Sequence, residues 1–195
     1  MNLKRGFKTE SERRANDLRS KLGLQPNAPL YARVLAQHMR IPIVTPGKIH
    51  GLSLEELDEL LGRGSSNWSA VTVINPQKPF IIHNSSHSTG RQESNIMHEL
   101  AHLICDHQPS EIIQIDGYAF PLRSCNKSEE EEADWVCGCL KLPREGVLWA
   151  VRSGMSTEVI AERFASSIDL ARYRIRITGV EKQVQREKQK RQRRM

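Results

Sequence analysis

The stretch IMHELAHLI, residues 96–104, constrains the fold of this chain more than any other part of the sequence. Its apolar side chains follow a helical period, whereas His98, Glu99 and His102 are polar groups that a buried helix accommodates only at a cost in free energy. On a helix, residues four apart lie about 40° from each other, so both imidazoles can point at one atom. The stretch therefore predicts a buried helix with a polar site on one side.

This H-E-x-x-H spacing is typical of catalytic zinc sites. His98 and His102 supply two nitrogen ligands, and Glu99, turned about 100° from His98, is placed to reach a water molecule on the metal. Zinc lowers the pKa of such a water to about 7, and a neighbouring carboxylate can take its proton when it attacks a carbonyl. We therefore predict one Zn²⁺ with Glu99 as general base. The structural alternative is a pair of core histidines beside a salt-bridged glutamate.

A catalytic zinc site needs a third protein ligand and an open position. The acidic run EEEEAD begins a second predicted helix, on which Glu130 and Asp134 lie one turn apart on the same face. We predict that Glu130 is the third metal ligand and that Asp134 fixes the orientation of a ligating histidine. Glu129 and Glu131 are the alternatives for the ligand.

Several other side chains near these segments have weaker claims to a role. Cys137 falls on the same helix face as Glu130, either as a further ligand or as a small buried residue. His107 lies beyond the end of the ligand face, and we assign it no role. The spacing does not decide which of three residues could stabilise an oxyanion: His83, His87 and Tyr118.

Periodicity and turn signals predict an α+β fold that is mostly helical, with a small three-stranded sheet packed on the H-E-x-x-H helix. Helices are predicted over residues 8–21, 29–39, 89–105 and 128–142, and strands over 41–46, 70–74 and 80–83. Capping boxes are predicted at three pairs: Ser53 with Glu56, Thr89 with Gln92, and Ser128 with Glu131. Two further helices, residues 156–164 and 168–177, are joined by a tight turn and closed by Gly179.

We divide the chain into a core (residues 1–145), a C-terminal helical subdomain (146–180) and a basic tail (181–195) that is disordered or extended. The net charge is +6, and most of it lies in the tail, which holds seven Lys or Arg and two Glu. The remainder of the chain is nearly neutral. The tail therefore predicts a solvated segment, with direct nucleic-acid contact as the alternative.

The first residues, MNLKRGFKTESERR, contain no apolar run typical of a signal peptide, and the longest uninterrupted apolar stretch, AVTVI, is too short to cross a bilayer. We therefore expect a cytoplasmic location and no membrane partner. Cysteines in that compartment stay reduced.

Three blocks of the sequence together resemble the ImmA/IrrE family of metallopeptidases: GRQESNIMHELAHLI, EEEEADWVCGCLKLP and TEVIAERFASSIDLARYRI. The resemblance covers about residues 10–180 and leaves out the basic tail. It implies a gluzincin-like core in which Glu99 is the general base and three residues bind zinc: His98, His102 and Glu130.

The resemblance also implies a substrate, because members of this family typically cleave a DNA-binding repressor. We therefore expect a protein substrate, a helix-turn-helix repressor, laid as an extended segment along an edge strand formed by VTVI or FIIH. The chain departs from the family pattern at Val136, Cys137 and the helix stop Leu142–Pro143. These departures concern packing and pocket shape, and they leave the substrate preference open.

Two other functions stay open. The C-terminal helix pair has the layout of a helix-turn-helix, with Arg172, Arg174 and Arg176 on its second helix, which suggests a DNA-binding regulator with a structural zinc. The other is a protein that keeps zinc and binds a partner without turnover. An intact H-E-x-x-H argues against it, because Glu99 has no purpose in a structural site.

Overall fold

The computed structural model describes residues 3–74, 78–107, 111–115, 118–122 and 126–193. Its helices are α1 (Phe7–Lys21), α2 (Ala32–His38), α3 (Leu54–Asp58), α4 (Thr89–Ile104), α5 (Lys127–Lys141), α6 (Arg144–Arg152), α7 (Thr157–Arg163), α8 (Ile168–Thr178) and α9 (Val180–Gln192). Its strands are β1 (Ile43–Val44), β2 (Ala70–Val73), β3 (Phe80–His83), β4 (Glu111–Ile115) and β5 (Tyr118–Leu122). The predicted α+β class is confirmed. No helix in these ranges is long and apolar enough to span a bilayer.

The three-stranded sheet has the order β1-β3-β2, with β3 in the centre. β1 runs parallel to β3 and β2 runs antiparallel to it, so that Ile43 and Thr72 both lie opposite the fully buried Ile81. The predicted hairpin is confirmed, but FIIH forms the central strand, so of the two candidate edge strands only β2 lies at the end of the strand order. A separate antiparallel pair, β4 with β5, has no counterpart in the sequence-based prediction, and β5 lies close to β2.

Helix α4 lies in the larger of two apolar clusters. Four of its side chains are fully buried: Ile96, Met97, Leu100 and Ala101. The helix packs against α2 and α5 and against β2 and β3. Burial of a large apolar side chain contributes about 1.5–3 kcal/mol, so this one helix contributes much of the stability of the cluster. The prediction that the sheet packs on the H-E-x-x-H helix is confirmed.

Of the three predicted capping boxes, the structure contains one. Ser53 and Glu56 form it reciprocally at the start of α3. Helix α4 begins after Ser88 without a side-chain cap, and Gln92 donates to the carbonyls of Ser85 and His87 instead. Helix α5 is capped by Asn126, which accepts from the N–H of Ser128, so the Ser128–Glu131 box is wrong because Ser128 already lies inside the helix.

The helices from α6 to α9 surround a second apolar cluster that includes the buried Phe164. Helix α7 is capped by Ser156 and α8 by Ser167, each of which accepts a hydrogen bond from a backbone N–H three residues ahead. Gly179, with φ 66°, ends α8 in the left-handed conformation that glycine adopts without steric cost. The predicted helix pair and its closing glycine are confirmed.

The prediction of a disordered or extended tail from residue 181 is wrong. Residues 180–192 form helix α9, which packs against α6. Val180 and Val184, four residues apart, are both buried in the second cluster, and Arg152 of α6 forms an ion pair with Glu187. Composition misled the prediction because two buried valines are enough to dock a helix that is otherwise highly polar. The division of the chain into core and C-terminal subdomain stays a prediction.

Candidate metal centre

His98 and His102 lie on the side of α4 that faces the start of α5, and their Nε2 atoms are 3.1 Å apart. This is the arrangement that residues four apart on a helix produce. His102 is buried, with 4% of its surface exposed, whereas His98 is partly exposed. The pair therefore presents two nitrogens at the boundary between the core and solvent.

Glu130, in the first turn of α5, completes the cluster. Its Oε2 lies 3.1 Å from His98 Nε2, and its Oε1 lies 3.2 Å from His102 Nε2. Across the described residues, these three form the only group of His, Cys, Asp or Glu side chains close enough to share an ion. The alternative ligands Glu129 and Glu131 are not part of that group. Cys137 is buried, and its thiol donates to the carbonyl of Ser94, which fits the structural interpretation.

The separations within the cluster suit one zinc ion. Zinc binds histidine nitrogen at about 2.0–2.1 Å and carboxylate oxygen at about 2.0–2.2 Å, so neighbouring donors on a tetrahedron lie about 3.3 Å apart. The observed separations are 3.1, 3.1 and 3.2 Å. Two imidazole nitrogens and one carboxylate are also the donor set of catalytic zinc sites that keep a fourth position open. The residues present therefore fit the metal.

The charges around the cluster also favour a cation. Hydrogen bonds with His102 and His98 hold the pKa of Glu130 well below its usual range. Burial lowers the pKa of His98, but hydrogen bonds with Asp134 and Glu130 and the charge of Glu99 outweigh burial and raise this pKa to about 10. Metal-free protein therefore keeps a proton among these groups. A metal ion competes with that proton for the same electron pairs.

Glu99 points toward the sheet. Its Oε2 accepts a hydrogen bond of 2.6 Å from the hydroxyl of Thr72 in β2. Thr72 itself is almost fully buried. The carboxylate therefore lies beside the cluster without being one of its three donors, as the 100° rotation from His98 predicts. Sequence reasoning missed Thr72, because nothing in the sequence indicates which strand residue faces α4.

A cleft of about 300 Å³ opens over these groups. One wall is the chain from Ser69 to Thr72, which includes most of β2, and the other is formed by α4 and α5. Glu99 and the three cluster residues line it, as does Asn95, one turn before His98. The cluster is therefore open to a ligand that lies along the edge of the sheet.

Comparison with known proteins agrees with this geometry. Residues 55–176 match a peptidase family described as the IrrE N-terminal-like domain. The chain belongs to the ImmA/IrrE family of peptidases. Searches of curated proteins and of solved structures found no significant match. The matched residues run from α3 into α8, so they include the whole cluster, Glu99 and Thr72, and exclude α9.

In this ImmA/IrrE family member, each clustered histidine has a partner for its second ring nitrogen. Asp134 Oδ1 lies 3.2 Å from His98 Nδ1, where we predicted it. His102 Nδ1 lies 2.9 Å from His107 Nδ1, and His107 Nε2 lies 3.1 Å from Glu132 Oε2. If His107 donates its proton to Glu132, it accepts from His102. Both Nε2 lone pairs are then directed at the centre of the cluster.

His107 was excluded by extending the helix period beyond the point where the helix ends. Helix α4 stops at Ile104, and Asp106, with φ 57°, reverses the chain in a Schellman turn. The N–H of His107 then donates to the carbonyl of His102, which returns the imidazole to the helix it has just left. The available signal was Asp106, because aspartate is one of the few residues that tolerate this conformation.

The structure separates the candidates for oxyanion stabilisation. His83 is buried, and its Nε2 lies 3.0 Å from an Arg33 nitrogen; it does not line the cleft. His87 is bonded to Asn95 and to the carbonyl of Ser65, and it does not line the cleft either. The side chain of Tyr118 lies outside the described part of the chain. Asn95, which sequence reasoning missed, is the described amide that lines the cleft.

Proposed function

We propose that this protein is a zinc-dependent endopeptidase that hydrolyses a peptide bond in a regulatory protein. The observation that carries the proposal is the convergence of His98, His102 and Glu130 at the wall of a cleft that also contains Glu99. A zinc ion held by these three groups would supply Lewis-acid activation of a water molecule, lowering its pKa from 15.7 to about 7. The protein's own residues then have to place the substrate and move one proton.

Glu99 is the proposed general base. It accepts a proton from the attacking water while the water oxygen bonds to the peptide carbonyl carbon. The same carboxyl group then gives that proton to the amide nitrogen as the C–N bond breaks, so an amine and a carboxylic acid are released. Thr72 holds Oε2 of Glu99, which leaves Oε1 for the water. Asn95 lines the cleft and can donate an amide N–H to the substrate.

Replacing Glu99 by Gln tests this assignment. The amide keeps the shape of the side chain but cannot accept the proton, so we expect peptide cleavage to fall by about 10²–10⁴-fold. Zinc content, measured by elemental analysis, should stay at one ion per chain because Glu99 is outside the donor set. Cleavage at the normal rate by the Gln variant would exclude this mechanism.

The edge strand β2 is the proposed docking site for the substrate backbone. β2 has its ladder with β3 on one side, and residues 69–72 form the wall of the cleft next to Glu99. An extended segment that adds to this edge would receive main-chain hydrogen bonds and cross the cluster. FIIH is no longer a candidate, because it is the central strand.

Proline substitutions at Ala70 and at Val71, made separately, test the docking site. Alternate N–H groups of an antiparallel edge strand point toward the neighbour and toward the open side. The variant that loses an outward N–H should raise KM for a peptide substrate while the unfolding free energy stays close to that of the wild type. Unchanged KM in both variants would rule out strand addition at β2.

The class of substrate follows from the family. We propose a helix-turn-helix repressor, because the ImmA/IrrE resemblance implies a DNA-binding regulator as the protein that is cleaved. The test is to incubate zinc-loaded protein with such a repressor encoded nearby and to look for one specific cut, with the Glu99→Gln variant as the control. Absence of any cut, while generic peptides are still hydrolysed, would reject the substrate class and keep the enzyme. We place the reaction in the cytoplasm, where thiols such as those of Cys137 and Cys139 stay reduced.

The alternative of a DNA-binding regulator that reads bases through α8 has less support. Arg174 is completely buried, donates to the carbonyl of Leu142 and is paired with Glu12. Arg172 is paired with Asp169 of its own helix. These contacts count against α8 as a recognition helix. The alternative of a partner-binding protein without turnover leaves the position of Glu99, held by Thr72 beside the cluster, without a purpose.

A further inference from the structure

We propose that helix α9 is a docking surface for duplex nucleic acid, separate from the metal centre. The proposal does not depend on the peptidase activity. It rests on how α9 is held against α6, on which of its side chains then face solvent, and on the absence of apolar groups among them. Each of these points concerns residues 144–193, which the structure describes throughout.

The rotation of α9 about its axis is fixed. Val180 and Val184 are buried against the second apolar cluster. On the adjoining side, both guanidinium contacts of Arg152 go to Glu187, at 3.1 and 2.8 Å, and Gln183 donates to the same carboxylate at 3.1 Å. The helix is therefore bound along one face, so its opposite face points in a defined direction.

Four basic residues occupy that outer face. At 100° per residue they fall within about 80° of one another, on the side away from the two valines, and they extend over about 17 Å. All four are exposed. We refer to this set as the basic stripe: Lys182, Arg186, Lys190 and Arg193.

No carboxylate falls within the basic stripe. The two acidic residues of α9, Glu181 and Glu187, lie about 100° or more from its centre, and Glu187 is neutralised by Arg152. Arg144, at the start of α6, extends the positive charge, because it lines a groove with Lys182, Arg186 and Lys190. Positive charge that is concentrated in this way and not paired internally is the electrostatic signature of a polyanion-binding surface.

The chemistry of α9 favours nucleic acid over a membrane surface. A helix that lies in a membrane interface inserts an apolar face, but the apolar residues of α9 are the two valines already buried in the protein. The remaining positions beside the basic stripe are amides, Gln185, Gln189 and Gln192. Amide side chains donate to phosphate and sugar oxygens and to base edges. A single helix also fits the width of the DNA major groove, about 12 Å.

Salt dependence of binding to duplex DNA tests the proposal. The experiment uses the full-length, zinc-loaded protein and a fluorescein-labelled 24-base-pair duplex of arbitrary sequence, with anisotropy measured between 50 and 200 mM salt. If the four stripe residues each contact one phosphate, the logarithm of the association constant should fall with log salt with a slope of about −3.6.

The matched pair of variants separates the basic stripe from net charge. The stripe variant is Lys182→Gln/Arg186→Gln/Lys190→Gln, for which we expect a slope of about −0.9 and binding weakened more than about 100-fold at 50 mM salt. The control removes the same charge from exposed positions elsewhere: Lys4→Gln, Lys21→Gln and Lys48→Gln. It should keep the slope and the affinity of the wild type. Single substitutions within the stripe, each lowering the slope by about 0.9, replace the triple variant if it folds poorly.

Three outcomes would overturn the proposal. One is the absence of salt-dependent DNA binding by the wild type. Another is equal weakening in the stripe variant and the control, which would mean that net charge alone attracts DNA. The third is flotation with vesicles of phosphatidylcholine and phosphatidylserine while duplex DNA is not bound. Peptide cleavage by the stripe variant should equal that of the wild type, so failure of this proposal is distinguishable from failure of the proposed enzyme.

Discussion

Thr72 of β2 donates a hydrogen bond of 2.6 Å from its hydroxyl to Oε2 of Glu99 on α4. Thr72 is 1% exposed and lies opposite Ile81 of the central strand, so the register of the sheet fixes where the hydroxyl is. Hydrogen bonds to charged groups contribute about 1.5–3 kcal/mol. The sheet therefore positions the proposed general base, in addition to supplying one wall of the cleft.

Replacing Thr72 by Val should lower kcat for peptide hydrolysis by about 10- to 100-fold, because the methyl group preserves the packing but removes the hydrogen bond that orients Glu99. Zinc content should not change, since neither residue belongs to the donor set. Steady-state kinetics with elemental analysis of the same sample provide both measurements. Thr72→Ser is the matched control, because it keeps the hydroxyl and should recover most of the activity. A Val variant as active as the wild type would show that Glu99 needs no support from β2.

Replacing Glu130 by Gln should weaken zinc binding more than about 100-fold, a larger loss than second-coordination-sphere changes usually cause. The reason is that the amide has no negative charge to stabilise the ion. Competition with a chromogenic chelator measures the affinity. Glu129→Gln, one residue earlier in the same helix turn, removes the same charge outside the cluster and should bind zinc normally. If the two variants lost zinc equally, the third ligand would be assigned wrongly.

Replacing His107 by Phe should lower zinc affinity by about 10- to 100-fold, because His102 then loses the acceptor that fixes its tautomer. His107→Gln retains a side-chain oxygen that can accept from His102 Nδ1, so it should rescue part of the affinity. A purely structural role would affect thermal stability in both variants and give Gln no advantage in the chelator competition. That result would remove His107 from the site.

His83 should make folding sensitive to acid. Burial, and then the nearby charge of Arg33, lower the pKa of His83 below its usual value of about 6.5. The unfolded chain therefore takes up this proton more readily than the folded one, so stability is complete above pH 6.5 and falls as the pH drops. Between pH 7.5 and 5, the wild type should lose more unfolding free energy than His83→Gln in urea titrations. Contributions from the other histidines are common to both proteins, so parallel curves would contradict the prediction.

Local periodicity explains why much of the centre could be predicted. His98, Glu99 and His102 are on one helix, so their relative directions follow from 100° per residue whatever surrounds that helix. Glu130 and Asp134 are related in the same way on α5. The central position of FIIH in the sheet could not be predicted from the hairpin signal, because strand order depends on β1, which comes from a distant part of the chain.

By itself, then, the sequence determined which side chains lie together within one helix, because a helix has a fixed period. The tertiary structure alone decided which groups meet across elements: Thr72 with Glu99, His107 with His102, and α9 with α6. Those meetings depend on a strand register, a left-handed turn at Asp106 and two buried valines. Each is set by the packing of segments far apart in the chain, which no local pattern of residues encodes.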